Sequence, residues 1–263
     1  MLLLMKPWEY PWPLVLFKYF PPERLHVLRD CSVRFSQRTA FEDDHELQPD
    51  FAIFGTSSEI WRYAIMTGSQ LSRGGYPAGV VVAGLATDPV QQKRALENLQ
   101  RAITVKDELG CFCLTEFPNS QRMWTEYAAQ GTGFVMGFNT RHSGFVQQLM
   151  PRGRLGKVEY SDEPFGSALG TILEEDATGL MFRKRLKYSF ESEWRIVRLL
   201  RRLQHSGDGI FLSPFDPASV CRIIIRPTCT VETELMEIIS SDDRYRNLKI
   251  EVLNPATSDS VSV

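Results

Sequence analysis

The sequence predicts an α+β fold, a single mixed domain with a central, split β-sheet and flanking helices. Three observations carry that reading. Short apolar runs of strand length, such as Leu14 to Tyr19 and Phe134 to Phe138, recur along the chain. Segments with helical spacing and explicit start signals separate them. No linker divides the chain and no internal repeat is visible, so one domain spans residues 14–256. An extended aromatic arm (1–13) precedes it and a small, polar tail (257–263) follows.

Leu14-Val15-Leu16-Phe17-Lys18-Tyr19 suits a buried strand. Pro21-Pro22-Glu23 opens a helix through Leu25 and Leu28, because proline is tolerated in a first turn. Val33 to Ser36 reads as a second strand, and the acidic stretch from Phe41 to Gln48 as a loop or helix start. Residues 51–67 carry a loose helical pattern in Phe51, Phe54, Ile60, Trp61, Ala64 and Ile65. The glycine-rich stretch from Ser69 to Gly79 is a connection. Asp88 can cap a helix with Pro89 in its first position, followed by Val90, Leu96, Leu99, Ala102 and Ile103.

Cys111 to Thr115 is strand-like. Asn119 or Ser120 can cap a helix bearing Met123, Trp124, Tyr127 and Ala128, which Gly131 and Gly133 stop. Phe134 to Phe138, Lys157 to Tyr160, Trp194 to Leu199 and Arg222 to Ile225 read as strands. A short helix over 231–239 and a strand from Lys249 to Leu253 complete the domain.

Across 263 residues, 30 Lys and Arg face 32 Asp and Glu, a net charge of −2. This near-cancellation gives no global attraction to nucleic acid or anionic membrane. No window approaches the ~20 apolar residues of a membrane span. Lys6 follows the opening apolar residues rather than preceding them, and prolines interrupt what comes next, unlike a signal peptide. A cytoplasmic protein with no membrane partner is expected. The five cysteines are an odd number without a disulfide framework. Cys111 and Cys113 would point to one face of a strand, and no second pair completes a metal site, so free thiols and no metal are expected.

More specific segments follow one another in order. They are Phe17-Lys18-Tyr19; Arg34-Phe35-Ser36 with Phe41-Glu42-Asp43-Asp44; Cys111-Phe112-Cys113 through Met123-Trp124, Glu126-Tyr127-Ala128, Gly133-Phe134 and Gly137-Phe138; and Phe190-Glu191-Ser192-Glu193-Trp194-Arg195. Together they resemble an uncharacterised bacterial family, the domain-of-unknown-function family numbered two-nine-seven-one. Glu42 stands where the family has Asn, Asp44-His45 where Pro-Phe is usual, and Cys113 where Ser is usual.

The layout of these segments also looks like that of ADP-ribosyltransferases. That resemblance implies an enzyme that consumes NAD as its substrate, by transfer to a protein or nucleic-acid acceptor or by hydrolysis. The family analogy implies a toxin or phage-defence setting. The resemblance gives Glu193 the catalytic role with Glu191 beside it, since a carboxylate stabilises the positive charge that develops as nicotinamide leaves. On a strand the two carboxylates would share a face and divide the work. Lys18, Tyr19, Ser36, Trp124, Tyr127 and Arg195 would line the site. Each residue also has a structural reading: Glu191 and Glu193 in salt bridges with the surrounding Arg and Lys, Lys18 snorkelling at a strand end, Ser36 as a cap, and Trp124 with Tyr127 as a packed ridge.

Two other functions compete. The aromatic arm and the Trp124 helix could form a recognition module for a protein partner. Glu42-Asp43-Asp44-His45-Glu46 could bind Mg²⁺ or Mn²⁺ for phosphodiester hydrolysis, although adjacent loop carboxylates are usually a solvated face. The basic stretch from Arg183 to Arg202 could attract the NAD pyrophosphate or a nucleic-acid acceptor. No G-x-G-x-x-G, Walker A, HExxH or Gly-x-Ser-x-Gly pattern is present, which removes support from dehydrogenase, P-loop and hydrolase readings.

Overall fold

The structure is a computed structural model that describes residues 12–41, 51–63, 84, 86–104, 109–149, 153–173 and 181–254. The acidic knot from Glu42 to Glu46, the glycine-rich connection, most of the N-terminal arm and the tail lie outside the described residues.

In chain order the elements begin with β1 (Val15–Phe20), α1 (His26–Asp30) and β2 (Ser32–Gln37), then β3 (Phe51–Ile53), α2 (57–63) and α3 (Pro89–Thr104). Next come β4 (Leu109–Thr115), α4 (Gln121–Tyr127), β5 (Phe134–Asn139), α5 (Ser143–Gln147), β6 (Arg154–Lys157), β7 (Glu159–Tyr160), β8 (Phe165–Ser167) and α6 (Ala168–Leu173). The last are β9 (Arg183–Lys184), β10 (Glu193–Leu199), β11 (Gln204–His205), β12 (Phe211–Pro214), β13 (Val220–Ile225), α7 (Glu232–Ser241) and β14 (Lys249–Val252). The class is α+β, as the sequence predicts.

Local signals act where expected. Asp88 Oδ1 accepts from the backbone N–H of Val90 at 2.8 Å, and Pro89 opens α3. Ser120 caps α4 by accepting from Met123 N at 3.4 Å. The helical pattern over 51–67 is only partly realised. Residues 51–53 pair in parallel with 165–167 as a strand, with Phe51 buried, and the helix spans 57–63; Ala64 and Ile65 lie outside the described residues.

The chain forms two compact units. The first contains residues 1–40, 108–158 and 187–263; the second contains 41–107 and 159–186. Each unit is assembled from separated stretches of the chain, so no single linker marks a boundary in the sequence. The second unit holds two short parallel pairs, β3–β8 and β7–β9. Its small cores are Phe51 with Ala168, and Ile60 with Leu169.

The first unit is built on a 10-stranded sheet in the order β11-β12-β2-β4-β1-β5-β13-β14, with β10 and β6 joined to it through β4. All pairings are antiparallel except β13–β14. β4 is the branch point. One edge pairs with β10 from Leu109 to Thr115. The other pairs first with β2, at Gly110 and Cys111, and then with β1, at Thr115. The sheet therefore splits over residues 112–114.

Directly opposed residues of antiparallel strands share a face. Phe17, Thr115 and Glu193 form one such row, and Cys113 with Arg195 the next. This face is covered by α4, through a cluster of Phe17, Tyr19, Met123, Trp124, Ala128, Val135 and Ile224. The opposite face carries the larger core, including Leu16, Phe35, Phe112, Phe138, Ile196, Ile223 and Leu235.

Two glycines set how closely β1 and β5 approach. A Cβ on Gly133 would lie 2.0 Å from the carbonyl oxygen of Phe20, and one on Gly137 would lie 2.9 Å from the Phe17 ring. The first obstacle is backbone and cannot rotate away; the second is the edge of a side chain. Gly133→Ala is therefore expected to cost about 3 kcal/mol or more and Gly137→Ala about 1 kcal/mol. Urea unfolding of the two variants checks that order.

Candidate functional site

The site grows from the branch of the sheet. Glu193 and Arg195 take alternate positions on β10, so both side chains leave the face that α4 covers. Arg195 Nε donates to Glu193 Oε1 at 2.6 Å and its Nη2 to Oε2 at 2.9 Å. Glu193 is 3% exposed and Arg195 0%. A bidentate fork of this kind matches guanidinium to carboxylate in shape and charge. Cys113 sits opposite Arg195. Burial pushes its thiol well above the usual range, and the negative charge of Glu193 adds to the effect.

Glu191 does not share a strand with Glu193, contrary to the expectation from sequence. It ends a 3₁₀ turn over Leu186–Glu191, and Ser192 follows in a left-handed conformation with φ of 42°. That residue breaks the extended alternation, so the two carboxylates are held by different elements. The Tyr127 hydroxyl, from the end of α4, donates to Glu191 Oε1 at 2.6 Å. Glu191 is buried, while Tyr127 keeps an exposed edge.

Tyr19 and Trp124 are fixed in the core of this face. The Tyr19 hydroxyl donates to the Phe117 carbonyl at 2.8 Å and Trp124 Nε1 to the Pro118 carbonyl at 2.9 Å. Their rings meet edge to face at 5.4 Å. Burial raises the Tyr19 phenol, so it stays neutral at any ordinary pH. Ser36 lies on the same face by register, opposite Cys111. Four residues of β4 separate that level from Glu193, about 13 Å at the usual strand rise. Lys18 alternates to the other face, with its ammonium 5.7 Å from the centre of the Phe112 ring. The structure thus gathers Glu191, Glu193, Arg195, Tyr19, Trp124 and Tyr127 around α4, and leaves Ser36 and Lys18 apart.

Sequence reasoning passes over Arg226. It follows β13 directly and is 4% exposed. Its guanidinium carbon lies 4.6 Å from the centre of the Trp124 ring. Its Nε and Nη2 are buried and have no hydrogen-bond partner among the described residues. Burial lowers its pKa, and the Tyr19 phenol works in the other direction. Gly131, at φ of 87°, lies against the side chain, so that a Cβ there would be 3.2 Å from Arg226 Cδ. The one signal in sequence is an arginine ending the run Ile223-Ile224-Ile225.

Glu116 is also part of the branch. It accepts from Trp194 Nε1 at 2.6 Å and pairs with Lys157 at 2.7 Å. Burial opposes its ionisation, but these two donors overcome that and hold the carboxyl below its ordinary value.

All five cysteines are free thiols. Among the described residues no group of three or more His, Cys, Asp or Glu side chains is placed to hold a metal ion. No described helix is long and apolar enough to cross a membrane. Trp12, at the end of the arm, packs in the main core, and its carbonyl accepts from Arg141 Nη2 at 3.0 Å.

Residues 123–196 match the family described as Protein of unknown function (DUF2971). The matched stretch contains the Met-Trp, Glu-Tyr-Ala, Gly-Phe and Glu-Ser-Glu-Trp-Arg segments that carry the resemblance. No curated protein and no solved structure matches the chain.

Removing one member of the Glu193–Arg195 pair leaves the other charged and buried. Arg195→Met should therefore cost about 3–5 kcal/mol. The double variant Glu193→Leu, Arg195→Met should recover much of that loss, as read by urea unfolding midpoints. Cys113 should resist alkylation at pH 8.5 in the folded protein and react once it is unfolded, which mass spectrometry of labelled peptides resolves.

Proposed function

We propose that the chain, of which residues 123–196 match a family whose description carries no chemistry, is an NAD-consuming enzyme of ADP-ribosyltransferase-like type. The observation that carries the reading is a buried guanidinium, Arg226, whose Nε and Nη2 have no hydrogen-bond partner among the described residues and which lies over the ring of Trp124, on the same helix as Tyr127, whose hydroxyl donates to the carboxylate Glu191. Trp124 and Tyr127 are three residues apart, so about 5–6 Å separates their Cβ atoms. A dinucleotide that carries an anionic pyrophosphate and a cationic nicotinamide riboside has charges of the sign that these two groups complement.

In this reading Arg226 takes the pyrophosphate. Glu191 faces the anomeric carbon. The C–N glycosidic bond breaks, its electron pair leaves with nicotinamide as the neutral base, and the carboxylate stabilises the oxocarbenium-like cation that remains. Water or an acceptor hydroxyl then attacks and transfers its proton to Glu191, which in this reading serves as the general base. Tyr127 orients Glu191. The Glu193–Arg195 pair holds the first residues of β10 in place and acts as a positioning element. This transfers the leading role that the sequence resemblance gives to Glu193 onto Glu191, because both oxygens of Glu193 are already bound by Arg195. The left-handed Ser192 between the carboxylates fits the tendency of backbone strain to gather at functional sites.

Release of nicotinamide from NAD by the full chain, followed by liquid chromatography, tests the proposal. Glu191→Gln should lower kcat by about 100-fold or more with little change in KM. Arg226→Gln should chiefly raise KM. Absence of both NAD binding and nicotinamide release from the folded wild-type protein would overturn the reading.

A further inference from the structure

Around Arg226 a firmly tied seat meets an untied side chain. The seat is hydrogen-bonded throughout. Cys229 N donates to the Arg226 carbonyl at 2.9 Å, which closes the turn that follows β13. Thr228 Oγ1, in that turn, donates to the Gly131 carbonyl at 2.7 Å. Gly131 N and Gly133 N both donate to the Ala128 carbonyl at 3.0 Å, and the Trp124 indole is tied to the Pro118 carbonyl. Ala129, Gln130 and Gly131 take φ of 48°, 60° and 87° in succession. Two of the three are not glycine, and such conformations persist only where the surrounding structure imposes them.

The guanidinium that lies in this seat has no such ties on one edge. Nε and Nη2 form the side-on fork of an arginine, the same edge through which Arg195 binds Glu193. In Arg226 both are enclosed and have no hydrogen-bond partner among the described residues. The group is held by the Trp124 ring, whose centre is 4.6 Å from the guanidinium carbon, and by the Gly131 backbone beside its stem. A cation over an aromatic ring is a weaker contact than two charge-assisted hydrogen bonds from one fork to an oxyanion. The seated arrangement is therefore the less favourable one when an oxyanion is within reach.

We propose that Arg226 is a movable arm: seated on Trp124 in the free protein, it leaves the ring to grip one phosphate of a diphosphate through Nε and Nη2. This rests on the reading that Arg226 takes the pyrophosphate, and it adds the movement that lets it do so. Both fork nitrogens are enclosed in the seat, so no ligand meets them until the arm moves. Gly131 gives the stem its room, since a Cβ there would lie 3.2 Å from Arg226 Cδ and 3.5 Å from Nη1. Trp124 and Gly131 are thus positioning residues that stabilise the free state. Their effect on affinity has a definite sign. Loosening the seat strengthens anion binding, whereas loosening a wall of the bound site would weaken it.

Isothermal titration of the full chain with inorganic pyrophosphate and with ADP-ribose tests the arm, because neither ligand carries nicotinamide and neither requires turnover. The wild-type protein should bind both and Arg226→Gln neither. Gly131→Ala crowds the stem and Trp124→Phe offers a weaker ring, so each should tighten binding by about threefold. Urea unfolding identifies the folded variants, and Gly131→Ala decides alone if Trp124→Phe does not fold. The arm is overturned by weaker or unchanged binding in the folded variants, by binding that survives Arg226→Gln, or by absence of binding to the wild type. The two proposals fail separately. Tightened pyrophosphate binding without NAD binding or nicotinamide release overturns the enzyme and keeps the arm. Nicotinamide release without the tightening does the reverse.

Discussion

The buried pair of Arg195 and Glu193 is the interaction on which this face of the protein depends. It stands where β10 begins beside the branch in β4, and it places two full charges inside a layer otherwise made of aromatic and aliphatic side chains. Such a pair contributes little net stability relative to a well-packed apolar one, but it is costly to break. Its effect is to fix geometry. Both residues lie on β10, so the pair fixes the two side chains relative to each other, while the register against β4 is carried by the backbone ladder from Leu109 to Thr115; Glu191 is delivered to Tyr127 by the turn through Ser192. The Glu116 contacts with Trp194 and Lys157 hold the same end of the strand from the other face.

That constraint separates the charged groups into three kinds. Glu193 and Arg195 neutralise each other. Glu191 accepts a hydrogen bond from the Tyr127 hydroxyl, which orients it. Arg226 is a buried cation covered by an aromatic ring and without hydrogen-bond partners for two of its nitrogens among the described residues. A group of the third kind is unfavourable in an interior unless something else uses it. The proposed chemistry follows from that imbalance.

Much of the first unit is legible in sequence because its signals are local. Ser120, Asp88 and Pro89 announce helix starts through bonds formed within one turn. The apolar runs become β1, β5, β10 and β13 within a residue or two of their expected limits. Gly133 and Gly137 stand out in sequence as helix stop and motif, but their spacing requirement comes from Phe20 and Phe17 on a neighbouring strand. Phe51 to Ile53 form a strand despite a helical pattern because a partner, Phe165 to Ser167, lies far along the chain.

The sequence by itself determined the α+β class, the strand and helix starts, the free thiols and the family segments between 123 and 196, since each rests on neighbouring residues or on order along the chain. Only the tertiary structure decided which of the candidate residues meet. It bound Glu193 to Arg195, parted Glu191 from their strand through one left-handed residue, sent Lys18 to the other face, and brought Arg226 onto Trp124. The reason is physical: a side chain's residual charge depends on which partner reaches it, and those partners come from strands and helices that sequence distance does not relate.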